Sequence, residues 1–184
     1  TLTGPVISDV TSVTKTSTTI TWSWADRVDN EYGFHIRSAD DDFELVSLAS
    51  GAVTWTEKGL LPNSGHKVRV AVFGASPSMA TVGVSSIVFT LANAPINLAT
   101  TSITATTVGL SFGTNSNPEE TRYEVEQALG AGSFSLAQIT TNSSLMLSGL
   151  SSVTSYRFRV RALNNDGIPT AYCATAMATT PDGT

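Results

Sequence analysis

The sequence contains few of the residues from which catalytic and metal sites are usually built. It has one cysteine, Cys173, and two histidines, His35 and His66, among 184 residues. A single cysteine excludes a disulfide within the chain and a zinc site made of cysteines. Charged residues make up only 14% of the chain and the net charge is −5. This balance argues against nucleic-acid binding and against attachment to anionic lipid by charge.

Long apolar runs are also missing. No stretch approaches the roughly 20 consecutive apolar residues that a membrane-spanning helix requires. Hydrophobic residues nevertheless make up 41% of the chain, which is enough to build a folded core. The chain opens on Thr1 without an initiating methionine, a basic segment or an apolar leader, so we expect it to be a segment of a longer protein.

An internal repeat of about 90 residues covers the whole chain. Related residues recur at offsets of 88 to 90, as small loop insertions would produce: Pro5 and Pro95, Trp24 and Phe112, Phe34 and Tyr123, Leu60 and Leu150, Ser64 and Thr154, Val70 and Val160. The joint between the copies, residues 91–95, is too short for a flexible tether. We therefore predict two domains, residues 1–92 and residues 93–184.

Apolar residues in both copies alternate with polar ones, which is the pattern of half-buried strands. The alternating sets are Ile20, Trp22 and Trp24; Phe34 and Ile36; Val68, Val70 and Val72; Val108, Leu110 and Phe112; Tyr123 and Val125; Tyr156, Phe158, Val160 and Ala162. Arg157, Arg159 and Arg161 then fall on the solvent face. Short turn-forming clusters separate the strands, and no segment carries a helical period. These features predict an all-β protein made of two seven-stranded β-sandwiches.

Four motifs, in the same order in both copies, resemble the fibronectin type III family, whose fold is an immunoglobulin-like β-sandwich. They are the opening Pro5, a second strand that ends on Trp24 or Phe112, a third strand that begins at Asp29–Ile36 in the first copy, and the corners Gly59–His66 and Gly149–Tyr156. The resemblance implies that Trp24, Leu60, His66, Phe112, Leu150 and Tyr156 are structural residues. Members of the family in bacteria are surface or secreted modules, so the resemblance also implies an extracellular or cell-surface location.

The first copy departs from the family pattern at the corner. The corner tyrosine, whose hydroxyl bonds to the backbone in this architecture, is present as Tyr156 but replaced by His66. Glu57 occupies the place where the second copy has Leu147. We expect Glu57 to point at a turn amide instead of into the core.

An enzymatic function is not indicated. His35 falls on the outward face of a strand, and no histidine is spaced to act as a base for Cys173, which we place in the last strand, Tyr172–Thr175. The chain also lacks a phosphate-binding loop, a nucleophile elbow and zinc-ligand spacing. We expect no catalytic residues, no cofactor and no metal, and we interpret Cys173 as a buried or half-buried small residue that could alternatively join two chains.

The loops that connect the strands are the predicted contact points. We select Asp40, Asp41 and Asp42; Asn115, Asn117 and Glu119; and Asn165 and Asp166. The acidic run 40–42 is interpreted as a solvated turn between the third and fourth strands, with a calcium site as the alternative. Asn142-Ser143-Ser144 fits the N-glycosylation pattern, which such a Ser-rich and Thr-rich sequence often contains by chance.

Two functions fit this architecture. The first is a non-enzymatic spacer or adhesion segment of an extracellular or cell-surface protein, with proteins or glycans at the surface and neighbouring domains of a longer chain as partners. The alternative is an accessory linker of a secreted carbohydrate-degrading enzyme, or a module that recognises proteins or glycans through its loops. Neither function requires nucleic acid or membrane insertion of this segment.

Overall fold

The computed structural model describes residues 7–27, 31–74 and 82–183. The predicted motif residues Pro5, Asp29 and Asn30 lie outside these ranges. Contacts divide the chain into two compact units, Thr1–Leu60 with Ser64–Thr90, and Leu61–Asn63 with Leu91–Thr184. Each unit is described separately below, and separate folding of residues 1–92 and 93–184 stays a prediction.

The first unit consists of short antiparallel strands. Its described strands are β1 Ser8–Lys15, β2 Thr19–Ala25, β3 Glu31–Ser38, β4 Glu44–Ala49, β5 Thr54–Lys58, β6 Gly65–His66, β7 Val68–Gly74, β8 Val82–Val84 and β9 Val88–Phe89. They form one sheet of order β1-β2-β5, a second of order β4-β3-β7-β8, and the pair β6-β9.

The second unit has the seven strands that the sequence predicts. They are β10 Ile96–Ile103, β11 Thr107–Gly113, β12 Arg122–Leu129, β13 Ser135–Thr140, β14 Ser144–Ser148, β15 Ser155–Leu163 and β16 Ala176–Thr179. The sheets have the orders β10-β11-β14 and β13-β12-β15-β16. The prediction that Cys173 lies in the last strand is therefore wrong. Residues 171–175 form no strand, and β16 begins at Ala176.

The first unit has more strand segments than its repeat because a serine interrupts the pairing of β7 with its neighbour. Ser85 lies between β8 and β9 and is buried. Its hydroxyl accepts a hydrogen bond from the amide of Val68 at 3.0 Å, and its own amide donates to the Val68 carbonyl at 3.0 Å. The Ser85 hydroxyl thus takes the place of a backbone carbonyl as the acceptor for the Val68 amide. As a result, β6 and β7 together correspond to the single strand β15 of the second unit.

The predicted alternation is confirmed in both units. The first core contains Ile7, Val10, Ile20, Trp22, Trp24, Phe34, Ile36, Val68, Val70 and Val72, and the second contains Val108, Leu110, Phe112, Tyr123, Val125, Leu147, Leu150, Tyr156, Phe158, Val160 and Ala162 with smaller residues. Each core draws on both sheets of its own unit, as in a β-sandwich. Burial of these apolar side chains is the main stabilising contribution, at roughly 25 cal/mol per Å².

The core aromatic pair is also repeated. The ring centroids of Trp24 and Phe34 are 5.8 Å apart, and those of Phe112 and Tyr123 are 4.9 Å apart. Phenylalanine therefore replaces tryptophan in the second copy without loss of the aromatic contact. Described residues contain no helix long and apolar enough to cross a membrane.

Candidate functional site

The acidic run lies in the turn between β3 and β4, where the sequence predicts it. Asp41 Oδ1 accepts a hydrogen bond from the amide of Phe43 at 3.2 Å, and hydrogen bonds from Ser38 and from this amide lower the pKa of Asp41. Asp42 lies between two guanidinium groups: its Oδ2 is 3.1 Å from Arg37 Nη1, and its Oδ1 is 2.9 Å from Arg69 Nη1.

This arrangement supports the interpretation of the run as a solvated turn. A calcium site needs several oxygen ligands that converge on one point. Asp42 is neutralised by its two arginines, Asp41 is used in its own turn, and Asp40 is exposed. Among the described residues, no group of three or more histidine, cysteine or acidic side chains is placed to hold a metal ion.

The predicted contact loop of the second unit, residues 114–121, is fixed by asparagine side chains. The buried Asn117 accepts from the amide of Asn93 through Oδ1 and donates to the Asn93 carbonyl through Nδ2, both at 2.7 Å. Asn115 Nδ2 donates to the Ala94 carbonyl at 3.0 Å. Asn115 and Ser116 have φ values of 55° and 65°, a conformation that residues other than glycine seldom adopt. The loop is therefore held in one shape by many hydrogen bonds.

Two predicted contact residues of this loop line a cleft. Asn117 and Glu119 form part of a cavity of about 500 Å³, together with Thr114 and the turn residues 141–143. Residues 141–143 connect β13 to β14, and the sequence reasoning did not select them as contact residues. Asn142, noted only for its sequon, is exposed in this turn. The alternation of hydroxyl and amide side chains in these two turns is the sequence signal that could have identified residues 141–143 as contact residues.

The third predicted loop is also organised by an asparagine. The buried Asn164 accepts a hydrogen bond from the Ile168 amide through Oδ1, and its carbonyl accepts one from the Gly167 amide, both at 2.8 Å. Asn165 and Asp166 are exposed at the tip, and the Asn165 amide donates to Asn63 Oδ1 at 2.7 Å. Neither tip residue lines the cleft described above, so the structure brings together only part of the predicted set.

The corner motif adopts the same backbone in both units. Gly59 and Gly149 have φ values of 74° and 75°, which glycine adopts without strain. The amide of Leu60 donates to the Thr18 carbonyl and the amide of Leu150 to the Thr106 carbonyl, both at 3.1 Å. Thr18 and Thr106 directly precede β2 and β11. In the second unit the buried Tyr156 hydroxyl accepts a hydrogen bond from the Ser151 amide at 2.9 Å. The predicted tyrosine corner is therefore formed there.

The first unit has a polar cluster at the same corner. Glu57 is buried, and its Oε2 accepts a hydrogen bond from the indole Nε1 of Trp22 at 3.0 Å. Its Oε1 lies 3.5 Å from His66 Nδ1, and His66 Nε2 lies 2.8 Å from Ser64 Oγ. The expectation that Glu57 points at a turn amide is wrong, because its carboxylate accepts a hydrogen bond from the buried indole of Trp22 instead.

The order serine–histidine–glutamate in this cluster resembles an activated nucleophile, but its geometry fits a structural role. The 3.5 Å between His66 and Glu57 is longer than an ordinary N–H···O hydrogen bond. The other oxygen of Glu57 is committed to Trp22. The cluster links β2, β5 and β6 through side chains, where the second unit uses Leu147 and Tyr156.

The outward arginines of β15 form a stacked array with aromatic rings. The Arg159 guanidinium lies 4.1 Å from the Phe134 centroid and 3.7 Å from the Tyr172 centroid. Arg157 packs over Phe134 at 4.9 Å, and Arg161 over Tyr172 at 4.8 Å. Guanidinium groups over aromatic faces are attracted by the ring quadrupole. We call these three arginines and two rings the arginine ladder.

Arg159, Arg161 and Tyr172 of the arginine ladder also have carboxylate partners. Arg159 Nε and Nη2 lie 2.7 and 2.6 Å from Glu126 Oε2, and the Tyr172 hydroxyl donates to Glu126 Oε1 at 2.7 Å. Arg161 pairs with Glu124 at 2.5 Å. Burial by itself raises the pKa of Glu126, but the hydrogen bonds from Tyr172 and Arg159 outweigh it and lower that pKa. The sequence analysis placed these arginines on the solvent face but did not identify their partners. The alternation of glutamates on β12 is the sequence signal that could have indicated them.

Cys173 is half-buried against the second core. Its amide donates to the Val160 carbonyl at 2.9 Å, and burial raises the pKa of its thiol. A thiol with a raised pKa is less reactive because the thiolate is the nucleophile. This agrees with the interpretation of Cys173 as a packed small residue.

Together, these features define a pair of β-sandwich modules in which several charged side chains on the strand faces pair with each other. Residues 93–172 match the family model of the fibronectin type III domain. The chain is also similar to Exoglucanase B of Cellulomonas fimi, at 27% identity over 192 residues. That alignment covers 97% of this chain but only 17% of the relative, so the chain spans a small part of the relative's length.

A solved structure shares the tandem architecture. It is a segment of two fibronectin type III domains from chicken tenascin, which covers 96% of this chain and is itself covered completely, with a TM-score of 0.57 and 13% sequence identity. At this identity the likeness shows the fold alone. The chain has the fold of a tandem of two fibronectin type III domains, its second domain matches the family model, and the resemblance that the sequence motifs indicated is confirmed.

Proposed function

We propose that the chain is a non-catalytic accessory segment of a longer, secreted, carbohydrate-degrading protein, in which the tandem separates or positions other domains. The observation that carries this proposal is the alignment with Exoglucanase B, which extends over 97% of the chain and only 17% of that relative. A tandem module that forms part of a longer enzyme is the alternative that the sequence left open, and the alignment favours it over adhesion.

The side-chain chemistry supports a role without turnover. The acidic turn is paired with Arg37 and Arg69, and the glutamates of β12 are paired with the arginine ladder. The serine–histidine–glutamate order at the first corner is explained by the need of Trp22 for an acceptor. Catalysis needs titratable groups positioned around an accessible reacting atom, and the titratable residues named here are used instead to hold strands together.

The test is a set of fusions to a cellulase catalytic domain and a cellulose-binding domain. The tandem is placed between them, and the reference fusion has a flexible Gly/Ser linker instead. We expect hydrolysis of insoluble cellulose to differ between the two fusions, whereas hydrolysis of a soluble cello-oligosaccharide is the same, because spacing matters only when both domains meet one surface. Equal rates on insoluble cellulose would contradict the proposal.

The adhesion hypothesis gives a different result. It predicts that the isolated tandem binds saturably to a surface protein and that the binding is lost when one end loop is changed. Surface plasmon resonance against candidate host proteins measures this directly. Saturable binding of that kind, together with equal rates for the two fusions, would replace the accessory role by adhesion.

A further inference from the structure

The cleft of about 500 Å³ in the second unit is a candidate binding site. We propose that it binds a short stretch of a neutral oligosaccharide. The inference rests on the proposed function, because a module within a carbohydrate-degrading protein would meet such a ligand. It adds a ligand class and a site, which the accessory role by itself does not assign.

The volume and the rigidity of the cleft suit a small ligand. Small-molecule sites usually measure about 300–1,000 Å³, and this cleft lies within that range. One wall, residues 114–119, is held by the two hydrogen bonds of Asn117 to Asn93 and by the one from Asn115 to Ala94. The other wall is fixed where the Ser143 carbonyl accepts a hydrogen bond from the Phe112 amide at 2.9 Å. A preformed site loses less conformational entropy when a ligand binds.

The chemistry of the lining selects a polyhydroxylated ligand. Thr141 and Asn142 are exposed and offer a hydroxyl and an amide, each of which both donates and accepts, and Glu119 adds an acceptor. Within the described part of the chain, these three side chains form no hydrogen bond to another residue of the protein. Adjacent sugar hydroxyls also donate and accept, so they match this set.

The same lining disfavours other ligand classes. The cleft is lined by no arginine or lysine, and Glu119 would repel an anion, as would the net charge of −5. It offers one carboxylate, which is too few for a metal ion. It has no large apolar side chain to anchor a hydrophobic peptide or a lipid. A neutral, hydroxyl-rich ligand remains.

The experiment is a titration of the complete chain with cellopentaose, followed by amide chemical shifts in NMR spectra. We expect saturable shifts confined to residues 114–119 and 141–143, with a dissociation constant on the order of 1 mM, because the cleft has no aromatic ring for a sugar to stack on. Oligogalacturonate, which is anionic, should bind more weakly. Absence of saturable shifts, or shifts centred elsewhere, would overturn the proposal.

Matched variants locate the site. Asn142→Ala and Thr141→Val each remove hydrogen-bonding groups from an exposed turn, and each should raise the dissociation constant about fivefold. Asn165→Ala changes an exposed asparagine of the same unit that does not line the cleft, and should leave the constant unchanged. If Asn165→Ala weakens binding as much as Asn142→Ala, the ligand does not occupy this cleft.

The fusions described above separate this inference from the proposed function. When the tandem carries Asn142→Ala, a spacer effect on insoluble cellulose should persist while cellopentaose binding is weakened about fivefold. A spacer effect without any cellopentaose binding by the unmodified chain would overturn the cleft proposal and leave the accessory role standing. Binding by the unmodified chain without any spacer effect would support the cleft and contradict the accessory role.

Discussion

The arginine ladder should contribute measurably to the stability of the second unit, and Arg159 at its centre is the residue that tests this. Replacement of Arg159 by alanine removes the guanidinium from between Phe134 and Tyr172 and from its contacts with Glu126. Glu126, whose side chain is only 15% exposed, keeps the hydrogen bond from Tyr172 but loses its cationic partner. The backbone of β15 is unaffected, because alanine is tolerated on the solvent face of a strand.

The expected magnitude follows from these contacts. Each cation–π contact at a partly exposed site is worth roughly 0.5–1 kcal/mol. A partly exposed ion pair adds up to about 1 kcal/mol. Because contacts within one cluster are not additive, we expect Arg159→Ala to reduce the free energy of unfolding by about 2 kcal/mol. For a domain of this size, that corresponds to a decrease in Tm of roughly 8–16 °C.

The chain offers an internal control for the measurement. Its three tryptophans, Trp22, Trp24 and Trp55, all belong to the first unit. Thermal unfolding followed by tryptophan emission should therefore be unchanged in Arg159→Ala, while the transition seen by far-ultraviolet circular dichroism for the second unit moves down. Arg159→Lys, which keeps the charge but not the planar stacking, should lose roughly half as much stability.

A second variant controls for the loss of any arginine from this sheet. Arg122 is exposed at the start of β12, and Arg122→Ala should change the free energy of unfolding by less than about 0.5 kcal/mol. If Arg159→Ala is no more destabilising than Arg122→Ala, then the ladder is a surface arrangement without energetic weight. If Arg159→Lys retains full stability, charge alone matters and the stacking argument fails.

Three further changes have defined outcomes. Glu57→Leu should lower the stability of the first unit by about 1–3 kcal/mol, because the buried Trp22 indole loses its acceptor. Glu57→Gln should lower the stability by less. Urea denaturation followed by tryptophan emission measures both variants. Gly33→Ala should destabilise the same unit by roughly 1–3 kcal/mol or more, since its Cβ would collide with the carbonyl oxygen of Leu48; a normal melting temperature would contradict this. The pKa of Glu126 is lowered in the folded state, so its stabilisation is complete above the ordinary value of 4.5 and is lost as the pH falls through the folded pKa. The urea midpoint of the second unit should accordingly fall as the pH is lowered from 4.5 through the folded pKa, and Glu126→Gln should reduce that dependence.

The fold could be predicted from the sequence because its main determinant is local and repeated. Alternation along Val108, Leu110 and Phe112 assigns one face of β11 to the core, and the recurrence of the pattern 88–90 residues apart supports the same assignment twice. Where the first unit differs from the second, a single side chain changes a strand. Ser85 interrupts the pairing of β7 by taking the Val68 amide, and no periodic pattern contains that information.

The site was predicted less well because its contacts join residues that are far apart in sequence. Asn117 and Glu119 were selected for their turn chemistry, but the second wall of the cleft, 141–143, comes from another connection and becomes its neighbour only after β11 pairs with β14. The three arginines of β15 could be assigned to the solvent face from periodicity alone. Their pairing with Glu124 and Glu126 depends on the register of β12 against β15, in which Arg161 faces Glu124 and Arg159 faces Glu126.

The two corners illustrate how one fold accommodates different chemistry at one position. Ile20 faces Glu57 across β2 and β5, and Val108 faces Leu147 at the matching place in the second unit. In the first unit Trp22 brings a polar N–H into the core, where Glu57 accepts its hydrogen bond and His66 lies beside the glutamate. In the second unit Leu110 replaces the tryptophan, no buried donor remains at that place, and leucine and tyrosine suffice. The histidine, glutamate and tryptophan therefore form one coupled set of side chains, joined by the hydrogen bond of Trp22 to Glu57 and by the contact of Glu57 with His66.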